Sequence, residues 1–65
     1  MLIDVNGVSV STSAETLRDL LEELGYGQRT IATALNGEVV AATQRYERRL
    51  KEHDRIEIVA PRQGG

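Results

Sequence analysis

Leu2-Ile3-Asp4-Val5-Asn6-Gly7-Val8-Ser9-Val10 holds two short β-branched runs on either side of an Asn-Gly pair. Asn-Gly supplies the two positive φ angles of a type I′ turn, whose twist matches that of the flanking strands, so this stretch predicts an antiparallel hairpin. Side chains alternate along a strand, which puts Ile3 and Val5 on one face, Val8 and Val10 against the same core, and Asp4 and Ser9 on the other face. A second pair, Asn36-Gly37, joins Ile31-Ala32-Thr33-Ala34-Leu35 to Glu38-Val39-Val40-Ala41 in the same way. A last apolar run, Arg55-Ile56-Glu57-Ile58-Val59, reads as a final strand.

Between the hairpins, Leu17, Leu20, Leu21 and Leu24 recur at i, i+3, i+4 and i+7, one apolar stripe on a helix. Two caps compete for its start: Thr12 with Glu15 three residues on, and Thr16 with Asp19 three residues on. Thr16 is preferred, and Gly25 stands where a left-handed C-terminal cap belongs, so the helix runs from about Thr16 to Leu24. Arg18, Asp19, Glu22 and Glu23 form its wet side. Strand pair, helix, strand pair and final strand make an α+β order in which the helix covers one face of the sheet. The first strand and Arg55 to Val59 then become parallel neighbours at the centre. This is the β-grasp arrangement, a mixed sheet of four to five strands with one main helix.

Ala42 to Leu50 is too polar for a strand and too weakly periodic for a helix, and reads as a loop. Tyr46 and Leu50 are four apart, which one helical turn pins to the core, leaving Arg45, Arg48 and Arg49 outside. Those arginines are a solvated loop or, alternatively, a docking patch for an acidic partner. His53 falls in the turn before the last strand, where it is solvated and carries no assigned chemistry.

The 65 residues form one domain too small to enclose an active site of its own. With no cysteine there is no thiolate metal site, the single histidine leaves little for metal binding, and no nucleophile with its base can be placed together. The chain is therefore expected to work without a bound cofactor and without catalysis of its own. No run approaches the ~20 apolar residues of a membrane span, and Met1-Leu2-Ile3-Asp4 lacks a basic leader, which gives a cytoplasmic expectation with no membrane partner. Residues 1 to 38 carry six acids and two bases, whereas residues 39 to 65 carry six bases and four acids. Neither half has the basic face with interleaved aromatics that nucleic acid requires.

Beyond Val59 come Ala60-Pro61-Arg62-Gln63-Gly64-Gly65. Proline cannot donate to a ladder, so the chain leaves the sheet here, dividing into a folded domain over 1–60 and a flexible tail over 61–65. Six extended residues reach about 20 Å, enough to carry the Gly65 carboxylate into another protein's active site while the body stays outside. Two residues without a Cβ enter a narrow channel, and the terminal carbonyl carbon is open to attack. The alternative is a frayed end with no role.

The early Asn6-Gly7, the helix start Thr16-Leu17-Arg18-Asp19-Leu20-Leu21, then Ala34-Leu35-Asn36-Gly37-Glu38-Val39-Val40, Asp54-Arg55-Ile56-Glu57-Ile58-Val59 and Gly64-Gly65 together resemble the ThiS family. These are the sulfur carrier proteins of thiamine biosynthesis, and the resemblance covers essentially the whole chain. It implies a ubiquitin-like β-grasp fold and a protein that is a substrate of partner enzymes, monomeric when free. A ThiF-like adenylyltransferase would use ATP to activate the Gly65 carboxylate, a sulfur donor protein would convert it to a thiocarboxylate, and thiazole synthase would receive the sulfur. Gly64, Gln63 and Arg62 would line the partner's channel. A molybdopterin synthase small subunit and a ubiquitin-like modifier share this fold and ending, and a pure interaction domain also remains open. One departure stands out: where such proteins often have glycine in the turn before the final strand, this chain has His53.

Overall fold

A computed structural model describes residues 1–27 and 29–61. Strands β1 (Leu2–Val5) and β2 (Val8–Ser11) form the first hairpin, with Ile3 opposite Val10 and Val5 opposite Val8. Helix α1 (Leu17–Glu23) follows, then β3 (Ala32–Leu35), β4 (Glu38–Val40) and β5 (Arg55–Val59). The five-stranded sheet runs β2-β1-β5-β3-β4, with β5 parallel to β1 and antiparallel to β3. Both Asn-Gly turns take the expected form: φ is +51° and +85° at Asn6 and Gly7, and +50° and +85° at Asn36 and Gly37.

The leucine stripe decides where α1 lies. Leu17, Leu20 and Leu21 are buried with Ile3, Leu35, Val40, Ile56 and Ile58 in one core, and Leu24 packs at its margin. Thr16 is the N-cap, its Oγ1 accepting from the Asp19 N–H at 3.2 Å. Thr12 serves elsewhere: buried, it accepts from the Ala14 N–H at 3.0 Å and donates to Glu23 at the far end of the helix. The C-terminus closes as a Schellman motif, with Gly25 at φ +88°, its N–H on the Glu22 carbonyl and the Tyr26 N–H on the Leu21 carbonyl.

Three local expectations are corrected. Val8 is 61% exposed, because it sits at the tip of an edge strand beyond the reach of the helix. Tyr46 is 59% exposed while Leu50 is buried, so the two are not pinned together. Arg45 turns inward, donating from Nε to Thr33 Oγ1 at 3.0 Å and from a terminal nitrogen to the Ile31 carbonyl at 2.8 Å. The loop's regular piece is a single 3₁₀ turn at Ala42–Gln44. Its backbone does the structural work: the carbonyls of Arg48 and Arg45 accept from the Leu17 and Arg18 N–H groups, two of the donors that a helix start leaves free.

His53 adopts φ +70°, the left-handed conformation that glycine takes at little cost. The turn keeps it because the His53 N–H donates to the Leu2 carbonyl at 2.7 Å and the Asp54 N–H closes on the Lys51 carbonyl at 3.1 Å. The glycine geometry thus survives without the glycine.

Leu20→Ala is expected to cost about 2–5 kcal/mol, a large share of the stability of so small a domain, and a thermal melt at or above the parent's would contradict the packing described. His53→Gly should act in the opposite direction. Release of left-handed strain, offset by the entropy of glycine, leaves a gain of roughly 0.5–1 kcal/mol. In a domain of this size that raises the melting temperature by about 2–8 °C, readable by circular dichroism.

Candidate functional site

Arg62, Gln63, Gly64 and Gly65, the residues singled out for function, lie outside the described residues. What the structure defines is β5, the strand that precedes them in the chain. Ile56 and Ile58 are buried, so β5 is anchored by alternate side chains while Arg55, Glu57 and Val59 face outward. On one edge β3 pairs with it along its length, from Leu35 opposite Ile56 to Ala32 opposite Val59.

On the other edge the parallel ladder is short, with Asp4 opposite Arg55 and Val5 opposite Ile56. Beyond that, β1 turns away into its hairpin, and Ile58 would face that edge without a partner. Asn6 fills the gap. Its backbone N–H donates to the Ile56 carbonyl at 2.9 Å, its Oδ1 accepts from the Ile58 N–H at 2.8 Å, and its Nδ2 donates to the Ile58 carbonyl at 3.1 Å. The carboxamide stands in for the peptide group of a missing strand residue.

Asn36 plays the same part at the start of β5. Its N–H donates to the Arg55 carbonyl at 2.7 Å and its Oδ1 accepts from the Arg55 N–H at 2.9 Å. Its Nδ2 donates to Asp54 Oδ1 at 2.9 Å, while Asp54 Oδ2 accepts from the Lys51 N–H at 2.7 Å. Asp54 is buried, and both its carboxylate oxygens are occupied by these donors. The strand is therefore held from Arg55 through Val59, and Ala60 and Pro61 are exposed beyond it.

The sheet face opposite α1 is divided. Ala32, Ala34, Val39 and Val59 line a shallow depression with Glu57 among them. Val39 is 79% exposed and Val59, the last residue of β5, 64% exposed. Toward β1 and β2 the same face carries Asp4, Ser9 and Arg55, with the half-exposed Leu2 beside them. The sequence reading passed over Val39. Strand alternation held the signal, because two adjacent valines cannot both face the core.

The basic loop is partly absorbed by the body. Arg48 pairs with Glu38, and Arg49 approaches Glu15 at 3.9 Å with both side chains exposed. Among the described residues no group of three or more His, Asp or Glu side chains is placed to hold a metal. No helix of the described residues is long and apolar enough to cross a membrane.

The chain matches the ThiS family over residues 2–65. It is 33% identical to a sulfur carrier protein ThiS of Thermus thermophilus over 64 residues, covering 98% of this chain and all of that one. The crystal structure of a thiamine biosynthesis protein (ThiS) from Geobacter metallireducens superposes with a TM-score of 0.80 at 30% identity, with both chains fully covered. A solution structure of a thiamine biosynthesis protein from the same organism gives a TM-score of 0.81 at 28% identity, covering 100% of this chain and 88% of the other.

The asparagine clamp is testable apart from the turn. Asn6→Gly keeps the positive φ and removes only the carboxamide, so it should cost about 1–3 kcal/mol and speed amide exchange at Ile58. Asn6→Ala adds left-handed strain and should cost more. Unchanged exchange at Ile58 in the glycine variant would show that the clamp does not hold the strand.

Proposed function

Because the chain belongs to the ThiS family, the sulfur carriers of thiamine biosynthesis, we propose that its work is done at the Gly65 carboxylate, presented on a tail over residues 61–65 by a folded body over 1–60. The observation that carries this reading is the clamped β5. A strand fixed on both edges up to Val59 gives the six residues Ala60 to Gly65 a rigid origin, from which they span at most about 20 Å.

The chemistry follows from the group itself. A terminal α-carboxyl has a pKa of about 3.5, so it is anionic at neutral pH and attacks the α-phosphate of ATP with loss of pyrophosphate. The partner for this step is a ThiF-like adenylyltransferase, which binds and uses the ATP. In the resulting acyl adenylate AMP is a good leaving group, and sulfide-level sulfur handed over by a donor protein attacks the carbonyl carbon and displaces AMP, leaving a thiocarboxylate. Thiazole synthase then takes that sulfur. The chain binds no cofactor in this scheme and acts as a substrate of its partners, a monomer between encounters, in the cytoplasm where ATP is available. Gly64 gives the carboxylate a slim neck, and Gln63 and Arg62 supply polar contacts along the partner's channel.

Intact-mass analysis of the chain from cells holding the matching activating enzyme is expected to reveal a fraction heavier by the exchange of one oxygen for sulfur. Deleting Gly65 draws the carboxylate back by about 3.5 Å, enough to misplace a group that needs near-attack contact with ATP. Sulfur loading should vanish while the thermal melt stays unchanged. Loading that persists without Gly65, or a tail found joined to lysines of other proteins, would overturn the carrier reading.

A further inference from the structure

Glu57 occupies the middle of the apolar half of the exposed sheet face. Ala34 stands opposite it on β3, Val39 stands opposite Ala34 on β4, and Val59 follows two residues along β5. Arg55, two residues back on the same face, stands opposite Asp4 in the parallel register. Among the described residues the Glu57 carboxylate makes no ion pair. The Glu57 side chain is exposed on this open face.

An enzyme that takes Gly65 into its active site must bring its surface within about 20 Å of Val59, because six residues reach no further. The depression at Ala32, Ala34, Val39 and Val59 is an apolar surface that includes the last residue of β5, so an enzyme that covers it gains burial where the chain leaves the sheet. The same act strips water from Glu57. An ionised carboxylate enclosed by alanine and valine side chains is strongly disfavoured unless a cation meets it. Resting on the carrier reading above, we propose that the activating enzyme presents a lysine or arginine to Glu57, and that this pair inside an apolar ring determines which enzyme the chain accepts. The valines supply adhesion common to many surfaces. Glu57 rejects any surface that lacks the matching charge, which is specificity by penalty.

The test uses the full chain, the ThiF-like adenylyltransferase of the same cell, and ATP, with pyrophosphate release as readout. Glu57→Ala leaves the enzyme's cation buried and unpaired, and should raise KM for the chain by about 30-fold or more with kcat little changed. Glu57→Lys should raise it further, and an enzyme variant with its facing cation changed to glutamate should restore binding of Glu57→Lys. The side chain is exposed, so both variants should melt like the parent. KM values within about twofold of the parent for both variants would overturn the pairing while leaving the carrier reading intact. A parent chain that drives no pyrophosphate release would overturn both.

Discussion

The Asn6 carboxamide accepts from the Ile58 N–H and donates to the Ile58 carbonyl, and through these two bonds a parallel ladder of two residue pairs holds one edge of a five-residue strand. Asn36 repeats the device at Arg55, on the strand's other edge. Each asparagine sits at a positive φ in its own hairpin turn, so one residue type meets two demands. Glycine would meet the first alone. Aspartate tolerates the left-handed region too, but an ionised carboxylate has no donor for the Ile58 carbonyl. The central strand is thus tied to the two turns that make its neighbouring hairpins.

That clamp fixes the last strand of the described chain on both of its edges. Buried Ile56 and Ile58 hold β5 to the helix layer, and its edges are satisfied up to Val59, where the apolar anchors stop. The face opposite α1 is left open, with Val39 and Val59 exposed on its β3–β4–β5 side and Asp4 and Ser9 toward β2.

The loop over 42–50 shows how little side-chain character can say about structural role. Its arginines read from sequence as a surface patch, yet the carbonyls of Arg45 and Arg48 cap the start of α1, and the Leu50 N–H reaches the Glu15 carbonyl at 2.9 Å. The Arg45 side chain ties the loop to Thr33 and to the carbonyl of Ile31 just before β3. His53 is another case of tertiary bonds outweighing local preference. Its left-handed conformation is disfavoured for any residue with a Cβ, and the bond from its N–H to Leu2 holds it.

Sequence by itself determined what depends on neighbours a few positions away. Both Asn-Gly turns, the leucine stripe, the Thr16 cap and the Gly25 closure are governed by backbone sterics and by the 3.6-residue and two-residue periods. They sufficed for the α+β order, the parallel placing of β5 beside β1, and the family resemblance. Only the tertiary structure decided which side of a pattern met the core at an edge: Val8 matches the buried register and is exposed, and Val39 beside Val40 faces out. It alone revealed that asparagine side chains complete the central ladder, that Arg45 points inward, and that a loop backbone caps the helix. Those contacts join residues far apart in the chain, for Asn6 and Ile58 are 52 positions apart. Local propensity has no knowledge of which backbone groups a distant strand will leave unpaired.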